Sequence, residues 1–200
     1  VLFRSHHCLE TMPCDRNNVS VIGIGRLGLC TALCLERGGY NVVGVDVFPS
    51  YVDGLNNKTF KSTEPRVEEF LAVSKNFKAT MSIDVAVAHS DLLLVFVATP
   101  STGGERHYDH SMLGKVLMDL NSRKVNGKHV VIGCTVIPGY IAETGRYLLQ
   151  DCVNTTLSYH PEFIAQGDII KGTLQPDMCL IGEGSKEAGD FLEEMESKMC

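Results

Sequence analysis

No apolar run in this 200-residue sequence approaches the roughly 20 residues that cross a bilayer, and no charged-then-apolar leader opens it. A membrane-spanning or secreted protein is therefore not expected, and the expected compartment is the cytoplasm. Nor is there a Lys/Arg-rich stripe. Lysine and arginine number 18 against 24 acidic residues, a formal charge of −6, so nothing is arranged to neutralise a nucleic-acid backbone or an acidic lipid surface. Neither nucleic acid nor membrane is expected as a partner, and a nucleotide ligand would have to be held by local backbone donors. Paired C-x-x-C spacing is missing as well. The eight cysteines include Cys30, Cys34 and Cys134 inside or beside apolar elements, where thiols stay reduced and pack as small hydrophobes, so no structural disulfide is expected. His6, His7, Cys8 and Cys14 lack metal-site spacing, and no metal is expected. Internal repeats and low-complexity tracts are also absent.

What is present is an alternation of apolar runs and helical patterns from Val19 onward. That is the pattern of an α/β, doubly wound, mostly parallel sheet, a Rossmann-type domain. Strands are expected near residues 19–24, 41–46, 78–80, 91–97, 129–134, 155–159 and 178–181. Helices are expected near 26–37, 50–57, 64–73, 83–88, 109–124, 139–149 and 185–199. Residues 91–97 are apolar on both faces and read as a central strand. With 44% hydrophobic residues the chain can fill one core. The expected organisation is an irregular tail over 1–17, a domain over 18–184 and a trailing acidic amphipathic helix over 185–200.

The most informative stretch is NVSVIGIGRLGL at 18–29, followed by NVVGVD at 41–46. Gly23 permits a sharp turn off the first strand, Gly25 removes a side chain that would block a pyrophosphate, and Gly28 lets the helix lie close to the sheet. The helix N-terminus offers free N–H groups to phosphates. Asp46 ends the second strand, where a carboxylate accepts hydrogen bonds from adenosine ribose hydroxyls and repels a 2′-phosphate. Residues 47–49 (VFP) bring no cation, so NAD is expected rather than NADP.

In a doubly wound sheet ligands bind outside the carboxyl ends of the strands. Thr99 and Pro100, Thr135, and the His160-Pro161-Glu162-Phe163 segment all fall on that rim. Thr99 and Thr135 can bond a cofactor, a substrate or a water, and equally can serve as ordinary helix-cap groups. Glu162 in an apolar context suits general acid/base work if partly buried, or else is a plain loop carboxylate. His160 reads as a surface residue and Cys134 as a packing thiol.

Taken in order, further motifs resemble the N-terminal domain of the UDP-glucose/GDP-mannose dehydrogenase family: Glu64-Pro65, FVATP at 96–100, Asp109 before a helix, CTVIPG at 134–139, YHPEFIAQG at 159–167, QPD at 175–177, and Ile181-Gly182. The resemblance implies NAD-dependent oxidation of the C6 alcohol of a nucleotide sugar to the uronate in two steps, through a thioester on a cysteine. It implies that Gly23, Ile24, Gly25, Arg26, Leu27 and Gly28 cradle the pyrophosphate and that Asp46 holds the ribose. Val97, Thr99, Pro100, Cys134 and Gln166 would contact the cofactor. Thr135 would position a water, and Glu162 would act as acid/base.

The sequence also departs from the family pattern. Gly133-Cys134 stands for the usual lysine-serine, His160 for an asparagine, Gln166 for a glutamate, Arg26-Leu27 for tyrosine-valine, and Met178 for an arginine. The family nucleophile, a glycine-flanked cysteine, would lie beyond residue 200, since Cys200 lacks that setting. The piece alone is expected to bind NAD without the full catalytic machinery, and the longer form to be a homodimer or higher. Other readings are a stand-alone or degenerate NAD-binding module, a fragment of a hydroxyacid or 6-phosphogluconate-like dehydrogenase, and, least supported, a methyltransferase.

Overall fold

The computed structural model describes residues 15–104, 108–164 and 167–200. The 1–14 part of the expected tail, including His6, His7, Cys8 and Cys14, lies outside them. A six-stranded sheet runs β1 (Asn18–Ile22), β2 (Asn41–Val45), β3 (Phe77–Thr80), β4 (Leu92–Val95), β5 (His129–Ile132) and β6 (Thr156–Tyr159) in chain order. Its spatial order is β3-β2-β1-β4-β5-β6 and every pair is parallel. The chain therefore reverses its direction of winding between β1 and β4, and a crevice opens at that point above the strand ends.

The pleat sends alternate residues to opposite faces. Val19 and Val21 of β1, with Leu92 and Leu94 of β4, pack under α1 (Arg26–Arg37), α3 (Val67–Val73), α7 (Ile169–Leu174) and α8 (Lys186–Met199). Ile22, Leu93 and Val95 point the other way, against Ala86 of α4 (Ile83–His89) and Leu113, Leu117 and Leu120 of α5 (Ser111–Ser122). Each strand of β4 and β5 is fully buried, as continuous apolar runs require. Ser82 starts α4 by accepting the Val85 N–H at 3.3 Å, which tips an alternating sequence towards helix. In α8 Glu193 faces solvent and Glu196 turns inward, while Phe191, Leu192, Met195 and Met199 join the core beside α1.

Three expected elements differ. Residues 178–181 form no strand: Gly182 alone pairs with Tyr159, antiparallel, through bonds of 2.9 and 2.8 Å. Met178 and Leu180 are exposed, and the Leu180 carbonyl is taken by a histidine ring instead of a ladder. The helix expected over 139–149 is a wide π turn, Ile141–Gly145, followed by one α turn, α6 (Arg146–Leu148). The Gly145 N–H reaches the Tyr140 carbonyl five residues back at 2.7 Å. The helix expected from residue 64 begins at Val67, because Arg66 takes a left-handed conformation, φ 68°, and leaves Glu64-Pro65 in a turn.

Candidate functional site

The loop between β1 and α1 is locked from both sides. The N–H groups of Gly23 and Ile24 both donate to the Val45 carbonyl, at 2.9 and 3.2 Å. A hydroxyl from α2 (Pro49–Asn56), that of Tyr51, donates to the Ile24 carbonyl at 2.6 Å. Gly23 has φ +89°, and a Cβ there would lie 2.3 Å from the Phe96 carbonyl oxygen. A Cβ at Gly28 would lie 2.0 Å from the Gly23 carbonyl oxygen. Both glycines are thus demanded by close approach of backbone to backbone. Gly25 differs: a Cβ there would meet nothing within 4 Å. The space above it is open, beside the α1 N-terminus, whose first turn carries no acidic residue. Such a site suits an anion.

A cavity of about 410 Å³ continues from Gly25 and Arg26 past Leu29 to Asp46, Phe48 and Tyr51, with residues 60–63 as its far wall. Asp46 is half-buried at the end of β2, its N–H donating to the Thr80 carbonyl at 3.1 Å. One carboxylate oxygen accepts the Phe48 N–H at 3.3 Å, and the other is available to a hydroxyl pair. Lys61 in the far wall is a cation that inspection of residues 47–49 could not find. Its ammonium, largely exposed, pairs with Glu68 at 2.7 Å.

Beyond β4, Phe96 continues the ladder by donating its N–H to the Ile22 carbonyl at 2.8 Å, and Gly133 does the same to Val95 at 3.0 Å. A Cβ on Gly133 would sit 2.2 Å from the Phe96 ring, which accounts for glycine at that departure from the family pattern. Val97 and Thr99 are half-buried and Pro100 is exposed, its carbonyl accepting the Asp109 N–H at 2.9 Å. Thr135, just past β5, is exposed on the same rim. Cys134 is buried, and burial pushes its thiol up to about 11 against the opposing pull of the Val97 N–H. A thiol held protonated in this way packs and does not attack.

Past β6 the structure departs from the surface reading of His160. This ring is 3% exposed. Its Nδ1 lies 2.7 Å from the Leu180 carbonyl and its Nε2 2.9 Å from a Glu196 carboxylate oxygen. A carbonyl only accepts, so Nδ1 donates, and Nε2 shares its hydrogen bond with the Glu196 carboxyl group. Burial opposes a charge on the ring; the Glu196 hydrogen bond and carboxylate, the Leu180 carbonyl and Glu162 outweigh it and raise the His160 pKa. Glu162 is half-buried, and burial lifts its carboxyl from 4.5 to about 7, with His160 pulling it down and Glu196 pushing it up. Such a group exchanges a proton readily at neutral pH. Gln166 lies outside the described residues.

Sequence reasoning saw Glu64 only as the start of a helix. It is a buried carboxylate, 5% exposed, that accepts the N–H groups of Gly167 and Ile169 at 3.3 and 3.4 Å and pairs with Arg26 at 3.6 Å. It therefore ties the glycine loop to the segment after Glu162 and caps α7. Nothing local in the sequence announces this, because Arg26 is 38 residues away and the two N–H groups are more than 100 away. Among the described residues no cluster of His, Cys, Asp and Glu is disposed to hold a metal ion, and no helix is long and apolar enough to cross a membrane.

A model of the UDP-glucose/GDP-mannose dehydrogenase family NAD binding domain matches residues 17–199. The chain is similar to GDP-mannose 6-dehydrogenase of Pseudomonas syringae pv. tomato, 32% identical over 192 residues, covering 88% of the chain and 43% of that relative. It is also similar to UDP-glucose 6-dehydrogenase of Rickettsia conorii, 26% identical, covering 89% of the chain and 42% of the relative. A crystal structure of a ternary complex of GDP-mannose dehydrogenase from Pseudomonas aeruginosa superposes with a TM-score of 0.82 at 29% identity, over 90% of this chain and 44% of that one. The chain thus spans less than half the length of these relatives.

Proposed function

The chain belongs to the UDP-glucose/GDP-mannose dehydrogenase family, as its NAD-binding domain, and from that premise we propose that it is the cofactor half of an enzyme oxidising the C6 alcohol of a nucleotide sugar to the uronate. The observation that supports this best is the open space over Gly25 at the α1 N-terminus, continuous with a cavity that ends at Asp46. NAD bound there supplies the hydride acceptor. The N–H groups of the first turn of α1 hold its phosphates, and Asp46 accepts from its ribose hydroxyls. Val97, Thr99 and Pro100 line the cofactor from β4. Thr135 orients a water, and Glu162 takes and returns a proton. The small-molecule partner is a nucleotide sugar, the longer form is a homodimer or higher, and the setting is the cytoplasm.

Two outcomes test this. By calorimetry, Asp46→Ala is expected to weaken NAD about tenfold, the scale of one charge-assisted hydrogen bond, and to narrow the preference over NADP. Equal affinity of the unsubstituted chain for NAD and NADP would contradict the ribose role of Asp46. The second test is turnover. The 200 residues alone should reduce no NAD in the presence of GDP-mannose or UDP-glucose, whereas a fusion to the remaining part of the Pseudomonas syringae relative should do so. A fusion that folds and binds NAD without turnover would favour a non-catalytic module.

A further inference from the structure

We infer that the buried His160–Glu196 pair is a positioning device for Glu162, fastening the loop that carries the proposed acid/base group to the C-terminal end of α8. The inference rests on the reading of Glu162 just given, and it extends that reading to residues in a helix that does not reach the rim.

The geometry is specific. His160 directly follows β6, its N–H still in the ladder through the Ile132 carbonyl at 2.9 Å. Only Pro161, with its fixed φ, separates it from Glu162. The ring is held at both nitrogens, at 2.7 and 2.9 Å, so it cannot turn without losing a bond. Its side chain is 4% exposed and that of Glu196 12%. Glu196 is equally constrained: its second oxygen accepts the Cys179 thiol at 3.4 Å and lies 3.7 Å from the Cys200 sulfur, whose thiol has the Thr173 carbonyl nearer at 3.5 Å. The helix bearing it is seated by Phe191, Leu192, Met195 and Met199 in the core. Glu196 is a fixed post, the His160 ring is clamped to it, and Glu162 follows two residues later.

The charges that face Glu162 come from the same cluster. Burial raises its pKa, His160 opposes that rise and Glu196 adds to it; the thiols of Cys34 on α1, Cys179 and Cys200 also face it. A neutral residue at 160 would leave Glu162 facing only the like charge of Glu196. The packing role of a buried pair and its electrostatic role can be separated, because removing one partner strands a charge whereas removing both does not.

The test uses the 200-residue chain labelled with ¹³C at the glutamate carboxyls and the histidine ring. NMR titration follows the Glu162 and His160 midpoints, the former assigned by its loss in Glu162→Gln. His160→Asn is expected to raise the Glu162 midpoint by about one pH unit, the effect of losing an opposite charge within a few ångströms. Glu196→Gln should lower the His160 midpoint by a similar amount, about one unit. The double variant should fold better than either single and place Glu162 between wild type and His160→Asn. An unmoved Glu162 midpoint in folded His160→Asn, or an unmoved His160 midpoint in Glu196→Gln, overturns the assignment. Should the single variants not fold, the wild-type chain carries the test: the Glu162 carboxyl signal should show a second inflection at the His160 midpoint, as coupled titrations do, and its absence overturns the assignment. No nucleotide sugar enters this readout: the pair can stand while the proposed reaction fails, and a missing shift with NAD binding intact sinks the pair alone.

Discussion

Gly25→Val is expected to abolish NAD binding while leaving the fold intact, and Gly28→Ala to unfold the domain's first crossover while adding no atom to the ligand side. Gly25 has an extended backbone with negative φ, φ −64° and ψ −158°, and its missing Cβ faces open space. Valine there costs only the difference in helix capping, about 1 kcal/mol or less. Its branches occupy the space assigned to the pyrophosphate, so affinity should fall by on the order of 100-fold or more, equivalent to about 3 kcal/mol. Gly28 is the reverse case. A methyl group 2.0 Å from the Gly23 carbonyl oxygen and 3.2 Å from the Phe96 Cβ has no flexible neighbour to displace. Helix α1 must move off the sheet, at a cost of about 3 kcal/mol. Urea denaturation beside NAD calorimetry separates the two. Wild-type affinity in Gly25→Val would remove the phosphates from that position, and wild-type stability in Gly28→Ala would show that the loop relaxes freely.

The contrast also shows what could be read from the sequence and why. The three glycines, Asp46 and the apolar runs encode local geometry, so the mostly parallel sheet was legible, while the strand order that opens the crevice between β1 and β4 was not. Legible too was the helical nature of residues 83–88, despite their alternating pattern. Residues 178–181 misled because a short continuous apolar run resembles a buried strand even where the carbonyl of Leu180 is claimed by His160 and only Gly182 meets the sheet. The short α7 was invisible, since six residues with an internal glycine carry little periodicity and its capping carboxylate, Glu64, is distant in sequence. His160 was misjudged for the same reason. A lone histidine in a loop gives no sign of a partner 36 residues on in a helix whose acidic pattern suggested only a solvated face.

Glu162 ties these strands together, since the property that suits it to proton transfer should also weaken the fold. A carboxyl whose pKa is about 7 when folded and 4.5 when ordinary binds a proton in the native state that the unfolded chain has already released. Stability from this group is therefore fully present below pH 4.5, falls as pH rises towards 7, and is absent above it. The penalty at pH 8 is about 2–3 kcal/mol, reduced somewhat by the solvent that reaches a half-buried side chain. Glu162→Gln keeps the shape and removes the ionisation. It should leave Tm unchanged at pH 4 and raise it by several degrees at pH 8, about 2–4 °C for each kcal/mol in a chain of this size. In the fusion that turns over, the same variant should lower kcat by about 100-fold, the usual contribution of one general acid/base group. Thermal scans at both pH values check the first half. Equal Tm gains at pH 4 and pH 8 would mean that glutamine improves packing and that the buried charge is not what the fold tolerates. A gain confined to high pH, together with loss of turnover, would identify Glu162 as a site where stability is given up for a proton that can move at neutral pH.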